Sequence, residues 1–173
     1  MKFGWKGLIG VALLAAGCGG SRDLAELPPY PEAFQREWFA AQRDLAKGDP
    51  EAAYNTLLTC AMQEPEEAAI PFQLGKIDFE AERYDVALVH FNRALQLGLD
   101  DHWALDYRAM ALVALGETKD AAADLSDLLG ERPGDIDYAL EWVGRCLDAG
   151  QLDLALHVCD TYEDLSAPDP EVT

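Results

Sequence analysis

Basic residues are scarce in this chain. Its 173 residues include 13 Lys and Arg against 32 Asp and Glu, so the formal net charge is -19 at pH 7. This balance argues against a nucleic-acid partner, because phosphate contacts need clustered Lys and Arg. It favours neutral or basic partners instead, and the excess of carboxylates promotes solubility.

Side chains that perform catalysis or bind metals are also few. His90, His102 and His157 have no Ser, Cys or carboxylate beside them at a spacing that would build a triad or a metal-binding pair. The acidic residues show no calcium-loop spacing, and no phosphate-binding glycine loop is present. We therefore expect surface or boundary histidines, no metal, no cofactor and no enzymatic activity.

No apolar run in the sequence is long enough to cross a bilayer, which takes about 20 residues. The best candidate, residues 8–16, is too short and follows Lys2 and Lys6. A basic start and a short apolar stretch are typical of an export signal. We assign this signal to residues 1–17.

The end of this segment, Leu14-Ala15-Ala16-Gly17-Cys18, resembles the lipobox of bacterial lipoproteins. The resemblance implies cleavage before Cys18 and lipidation of that residue; a plain secretory signal cut nearby is the alternative. Gly19 replaces the Asp that favours inner-membrane retention in enteric bacteria, which implies an outer-membrane anchor facing the periplasm. Residues 18–33 would then be the lipidated Cys and a Gly- and Pro-rich tether.

A stretch of 34 residues recurs four times without a gap, at 34–67, 68–101, 102–135 and 136–169. In each copy, two groups of apolar or small residues have helical spacing and are separated by polar residues. The aligned positions include a constant alanine (Ala53, Ala87, Ala121, Ala155) and a turn residue (Gly48, Glu82, Gly116, Gly150). Each copy therefore predicts two helices joined by a tight turn, with Gly75 small where two helices cross closely.

The third copy gives the clearest resemblance, to the tetratricopeptide repeat (TPR) family. It carries Leu105, Ala109, Leu112, Gly116, Ala121, Leu125, Leu128 and Pro133 at the family's signature positions. The resemblance covers about four-fifths of the chain and implies an all-α solenoid of four helix–turn–helix repeats in a right-handed superhelix. Residues 170–173 would be a disordered tail.

Four residues depart from the family pattern. Pro71 places the start of its helix near Ile70. Asp78 stands where an aromatic residue is expected, Val143 is large for a small-residue position, and Cys159 is small for a large one.

The resemblance also implies where a partner binds, because first helices of TPR proteins line a concave surface. The partner-facing positions map onto Trp38, Phe39, Gln42, Phe72, Gln73, Lys76, Phe79, Trp103, Asp106, Tyr107, Met110, Leu140 and Glu141. Such aromatic side chains are typical of binding hot spots, and acids including Asp106 and Glu141 would attract basic flanks of a partner. The alternative is that Phe72 and Phe79 belong partly to the core and that the tether folds back into the groove.

Some TPR receptors hold a peptide's terminal carboxylate with Lys, Arg and Asn side chains. The corresponding positions here lack those cations, which favours an apolar helix or extended segment as ligand. They are Trp38, Gln42, Gln73, Trp103 and Tyr107.

The cysteines beyond Cys18 fall at inward-facing positions of the repeat. In the implied fold Cys146 and Cys159 face each other within one copy, so a disulfide is feasible in an oxidising compartment; two buried thiols are the alternative. Cys60 is expected to be a free buried thiol. The acids of the last helix, residues 152–165, favour a helix that caps the array itself over one whose open side meets another molecule.

Together these features predict a lipid-anchored adaptor or scaffold of the bacterial cell envelope that binds a protein segment in its groove. Four alternatives stay open. They are an assembly factor of the pilotin type for a pilus or secretin complex, a structural homo-oligomer, an enzyme subunit with shared active-site residues, and a soluble secreted protein.

Overall fold

The computed structural model describes residues 30–99 and 102–167. These residues form eight α-helices and no strand. The helices are α1 (Glu32–Ala46), α2 (Pro50–Gln63), α3 (Ala69–Glu80), α4 (Tyr84–Gln96), α5 (His102–Leu115), α6 (Thr118–Glu131), α7 (Ile136–Asp148) and α8 (Leu152–Ser166). Each predicted repeat contains one helical pair, so the all-α repeat architecture is confirmed. The predicted export signal, Cys18 and the tail at 170–173 lie outside the described residues.

Helix starts follow the sequence signals. The Asp49 carboxylate accepts a hydrogen bond from the Ala52 amide at 3.0 Å, and Pro50 is the first residue of α2. Pro71 lies in the first turn of α3, as predicted. The first helix begins at Glu32, before the predicted repeat boundary at residue 34.

The turn inside each helical pair has a left-handed residue at the position found from the sequence. Gly48, Gly116 and Gly150 have φ values of 77°, 75° and 73°, and Glu82 has 58°. Glycine adopts this conformation without steric cost, whereas Glu82 does not. Among the described residues Glu82 is the one non-glycine with positive φ.

The chain divides into two compact units, at Asp100 and Asp101. Unit 1 contains α1 to α4; α1 packs on α2, α2 on α3, and α3 on α4. Part of its core is built from Phe34, Trp38, Leu57, Ile70 and Leu74.

Tyr30 also belongs to the core of unit 1, which corrects the predicted extent of the tether. Its ring stacks on Phe34 with centroids 4.9 Å apart, and its hydroxyl donates a hydrogen bond to the Glu67 carboxylate. Burial and this carboxylate raise the pKa of Tyr30. The segment predicted as a tether through residue 33 therefore joins the fold at Tyr30.

Unit 2 contains α5 to α8. Helix α5 packs on α6 and α7, and α8 packs on α6 and α7. The fully buried side chains of Leu125, Leu128, Leu129, Trp142 and Val158 form much of its interior. A salt bridge from Arg108 to Asp124, 2.6 Å between Nη2 and Oδ1, links α5 to α6.

The cysteines show one confirmation and one correction. Cys60 is a free buried thiol, as expected, and burial raises its pKa to about 11. Cys146 and Cys159 are both free; Cys146 is buried but Cys159 is exposed, so the inward position expected for Cys159 is wrong and no disulfide joins the pair. In the other repeats the equivalent residues, such as Leu125, are fully buried.

None of the helices within residues 30–99 and 102–167 combines the length and the apolar character that crossing a membrane requires.

Candidate protein-binding surfaces

Unit 1 presents part of the predicted partner-facing set along α1 and α3. Phe39 on α1 is 55% exposed, and Gln42 is half-buried. On α3, Phe72, Lys76 and Phe79 follow one another at helical spacing and are all half-buried. Lys76 Nζ lies 5.8 Å from the centroid of the Phe72 ring, within cation–π range. Phe39 is thus the residue of this set that offers most of its surface.

Two predicted contact residues of unit 1 do not lie on its surface. Trp38 is only 5% exposed, because its ring packs against Phe34 with centroids 6.1 Å apart. Gln73 is also buried. A partner cannot reach the Trp38 ring without opening the core, so the prediction that Trp38 faces a partner is wrong.

Unit 2 presents its part of the set on α5 and α7, two helices that pack on each other. Trp103 on α5 is 54% exposed and Leu140 on α7 is 58% exposed. Tyr107 and Met110 follow Trp103 at helical spacing and are half-buried, and Glu141 is exposed. We call these five residues the α5–α7 face: Trp103, Tyr107, Met110, Leu140 and Glu141.

Asp106 belongs to the interior of unit 2, which corrects its predicted role. Its carboxylate accepts a 2.6 Å hydrogen bond from the Tyr138 hydroxyl, tying α5 to α7. Burial, and then this hydrogen bond, raise the pKa of Tyr138. Asp106 is therefore unsuited to attract a partner's basic flank. Glu141 remains on the surface, where it pairs with Arg145 at 2.6 Å.

A buried polar cluster in unit 1 was not predicted. The Asp78 carboxylate is almost fully buried and accepts hydrogen bonds from Arg83 Nε at 2.9 Å and Nη2 at 2.6 Å. Its other oxygen lies 3.4 Å from the Tyr54 hydroxyl and 3.3 Å from His90 Nε2. The three helices α2, α3 and α4 each contribute a residue, so the cluster links both repeats of the unit.

Two of the histidines, His90 and His157, make side-chain contacts inside the fold that the sequence did not predict. His90 is half-buried, and burial lowers its pKa while the Asp78 charge acts in the opposite direction. His157 Nε2 lies 3.0 Å from Ser126 Oγ and 3.2 Å from the Ala122 carbonyl oxygen, which ties α8 to α6. Both residues hold the boundary position expected of the histidines, but the sequence did not predict these side-chain contacts.

One sequence signal could have found the cluster. Asp78 occupies a position where the repeat normally has an aromatic residue, and a carboxylate there must find partners inside the fold. Tyr54 and His90 lie on the neighbouring second helices. Whether their side chains face Asp78 depends on how each helix is rotated about its axis, which the sequence does not specify. Within the described part of the chain, no group of three or more His, Cys, Asp or Glu residues is placed to hold a metal ion.

The polar cluster borders a cleft of about 580 Å³ in unit 1. The cleft lies between the first half of α2 and the end of α3 with its following turn. Its described lining residues are Pro50, Glu51, Tyr54, Asn55, Ile77, Glu80, Ala81 and Arg83.

No protein-family model matches the sequence, and no curated protein matches it either. Solved structures do resemble it. A MamA structure from Desulfovibrio magneticus RS-1, residue 41 to the end, is 23% identical with a TM-score of 0.65, over 83% of this chain and 79% of that one. YrrB, described as a TPR protein with an unusual peptide-binding site, is 20% identical with a TM-score of 0.62, over 81% and 72%.

A third similar structure contains a bound peptide. The first TPR of Spaghetti (RPAP3), bound to the HSP90 peptide SRMEEVD, is 18% identical with a TM-score of 0.56, over 69% of this chain and 94% of that one. Identities this low show the fold alone. The chain has the tetratricopeptide-repeat fold that the sequence pattern predicted.

Proposed function

We propose that this chain is a protein-interaction module that binds a polypeptide segment through its first helices. One observation carries the proposal: Trp103 and Leu140, on adjoining helices of unit 2, leave more than half of their surfaces in water. Large side chains are normally buried in a repeat array, and exposed aromatic residues are typical of contact hot spots.

The chemistry of the α5–α7 face favours a segment with an apolar anchor. Trp103 and Leu140 provide apolar area, while Tyr107 and Met110 extend it along α5. The net charge of -19 would steer basic flanks of the ligand towards the protein. An acidic ligand such as SRMEEVD fits this chain poorly, because the positions of the family's carboxylate clamp hold Trp38, Gln42, Gln73, Trp103 and Tyr107.

Two of the structurally similar proteins support a polypeptide as the class of ligand. One is described as bound to a peptide, and the other as having a peptide-binding site. The mechanism we propose needs no bond chemistry. An anchored module that holds a second protein raises the effective concentration of that protein at its own location.

The proposed location is the bacterial cell envelope. A lipid on Cys18 would anchor the protein to the outer membrane, and the folded part would face the periplasm. The support is the lipobox-like sequence of residues 14–18 and the short apolar run before it. Because Tyr30 is packed into unit 1, the tether would comprise residues 19–29, a reach of roughly 36 Å when extended. Incorporation of labelled palmitate, abolished by Cys18→Ser, tests this part.

The binding proposal is tested by affinity capture from envelope extract. The variant Trp103→Ser/Leu140→Ser removes the apolar anchors of the α5–α7 face, and Met62→Ser/Val89→Ser removes two even more exposed residues from second helices. We expect the first variant to lose a captured protein that the second retains. Equal capture by both variants would disprove the proposal.

A homo-oligomer is the second candidate, favoured by the last helix. Leu152, Leu156 and Cys159 lie at helical spacing on α8 and are all exposed, so this helix presents apolar side chains to water beside its acids Asp153, Asp160, Glu163 and Asp164. Light scattering would then give a multimeric mass that Leu156→Asp reduces to that of the monomer. A monomeric mass for the unaltered protein would exclude this candidate. No observation in the described residues favours an assembly-factor role in particular.

A further inference from the structure

The cleft of unit 1 has two chemically different walls. Tyr54 and Ile77 give it an aromatic and an apolar side, and Glu51 and Glu80 place carboxylates at its exposed edge. Its volume of about 580 Å³ lies within the range of small-ligand sites, which is about 300–1,000 Å³. The α5–α7 face belongs to the other unit, so this cleft is a separate site.

The charges of the cleft do not balance. Arg83 is the cation among its described lining residues, and its guanidinium is already held by the buried Asp78 through two hydrogen bonds. Glu51 and Glu80 form no salt bridge with any described residue. The cleft therefore offers a net negative charge beside an aromatic ring.

We propose that this cleft binds a cationic side chain, Arg or Lys, of a partner polypeptide. The proposal rests on the proposed function, since it takes a polypeptide as the ligand. The cation would lie between Glu51 and Glu80 and against the Tyr54 ring, which favours cations over its face. The methylene stem of such a side chain would pack on Pro50, which lines the cleft and is exposed.

The polar cluster behind the cleft would hold this site in place. The Tyr54 hydroxyl lies 3.2 Å from His90 Nε2 and 3.4 Å from Asp78, and the two aromatic rings meet edge to face with centroids 6.3 Å apart. These contacts hold the Tyr54 ring against the cluster. A preformed wall reduces the entropy that binding must overcome.

The test is an NMR titration of the isolated protein with three capped pentapeptides, acetyl-Gly-Ser-X-Ser-Gly-amide, where X is Arg, Gln or Glu. The signals followed are the Tyr54 ring protons and the Arg83 Nε–H. We expect saturable shifts with the Arg peptide, and weaker or no shifts with the Gln and Glu peptides. The variant Glu51→Gln/Glu80→Gln should raise the dissociation constant about five- to twentyfold, from two exposed charge pairs.

The control variant Glu66→Gln/Glu131→Gln makes the same change in net charge at exposed sites outside the cleft, and it should leave the dissociation constant within about twofold of the original. Tighter binding of the Glu peptide would show an anion site at Arg83 and overturn the proposal. So would equal binding of the Arg and Gln peptides, or equal loss in both variants. Any of these results can coexist with partner capture through the α5–α7 face, so failure of the cleft is distinguishable from failure of the proposed function.

Discussion

A side chain at residue 75 would collide with Phe91: a Cβ atom built on Gly75 lies 2.6 Å from Cε1 of the Phe91 ring. Phe91 is fully buried, so its ring has little room to retreat. In the equivalent positions, repeats one and three pair Ala41 with Leu57 and Ala109 with Leu125. Repeat two therefore has the smaller residue, glycine, opposite the larger residue, phenylalanine. The prediction that two helices cross closely at Gly75 is confirmed.

Replacing Gly75 by alanine should therefore destabilise the protein. Overpacking a core costs about 1–3 kcal/mol, and the gain in helix propensity offsets up to about 1 kcal/mol of it. With the full offset, we expect a net loss of up to about 2 kcal/mol in the free energy of unfolding, measured by urea denaturation.

Two further variants make this prediction specific. Adding Phe91→Leu to Gly75→Ala recreates the pairing of repeats one and three and should recover part of the loss. Gly144→Ala on α7, where a Cβ would meet nothing within 4 Å, should be neutral or stabilising. A stabilising effect of Gly75→Ala alone would contradict this account of the crossing.

One substitution in the turn between α3 and α4, at Glu82, should increase the stability of the protein. Glu82 has a φ of 58°, where the equivalent turns have glycine. Glu82→Gly removes the left-handed strain and should raise the free energy of unfolding by about 1 kcal/mol. The reciprocal control is Gly48→Glu, which should lower it by a similar amount because Gly48 has a φ of 77° and open surroundings. If both substitutions raised the free energy of unfolding, or both lowered it, backbone strain could not be the cause.

His90 should make the stability of the protein depend on pH. Burial lowers its pKa below the ordinary value of 6.5, although Asp78 opposes the shift. As the pH falls through about 6.5, the unfolded chain takes up a proton that the folded chain resists, so stability decreases on acidification. Between pH 7.5 and 5.5 the parent protein should therefore lose more stability than His90→Gln does.

Urea unfolding at the two pH values measures this difference. Gln96→Ala is the control, since it changes an exposed side chain on the same helix without removing a titratable group and should keep the parent's pH dependence. A parent protein that becomes more stable at pH 5.5 would mean that the charged His90–Asp78 pair outweighs burial, and the prediction would be wrong.

The thiols should differ sharply in reactivity. Burial raises the pKa of Cys60 to about 11 and also raises the pKa of Cys146, whereas Cys159 is exposed. In a Cys18→Ser background, a disulfide reagent at pH 8 should modify Cys159 quickly and the other two only after denaturation. Cys159→Ser should remove the fast phase. A fast phase that persists in this variant would contradict the burial of Cys60 and Cys146.

The repeated features of the fold were predictable because they follow from local chemistry. A 34-residue period, glycine at the turns and Asp49-Pro50 at a helix start specify helical pairs without knowledge of their packing. Tyr30 could not be placed in this way, since its burial depends on Phe34 and Glu67, the latter far away in sequence. The same holds for Cys159, whose equivalents in the other repeats are buried.

The candidate surfaces were only partly predictable. The partner-facing positions implied by the family resemblance include Phe39, Trp103 and Leu140, which are exposed, but also Trp38 and Asp106, which tertiary contacts bury. The Asp78 cluster depends on three side chains from three helices meeting at one carboxylate. The repeat alignment shows that Asp78 replaces an expected aromatic residue, but it does not show which side chains Asp78 contacts.

Site-specific photo-crosslinking tests the central claim most directly. A benzophenone side chain placed at residue 103 or 140 of the anchored protein, inside the producing cell, reports what touches the α5–α7 face. The same probe at residue 62 or 89 samples even more exposed apolar positions on second helices. We predict a discrete adduct with another polypeptide from residues 103 and 140 and none from residues 62 and 89. Adducts of equal strength from all four positions, or none from 103 and 140, would contradict binding through the first helices.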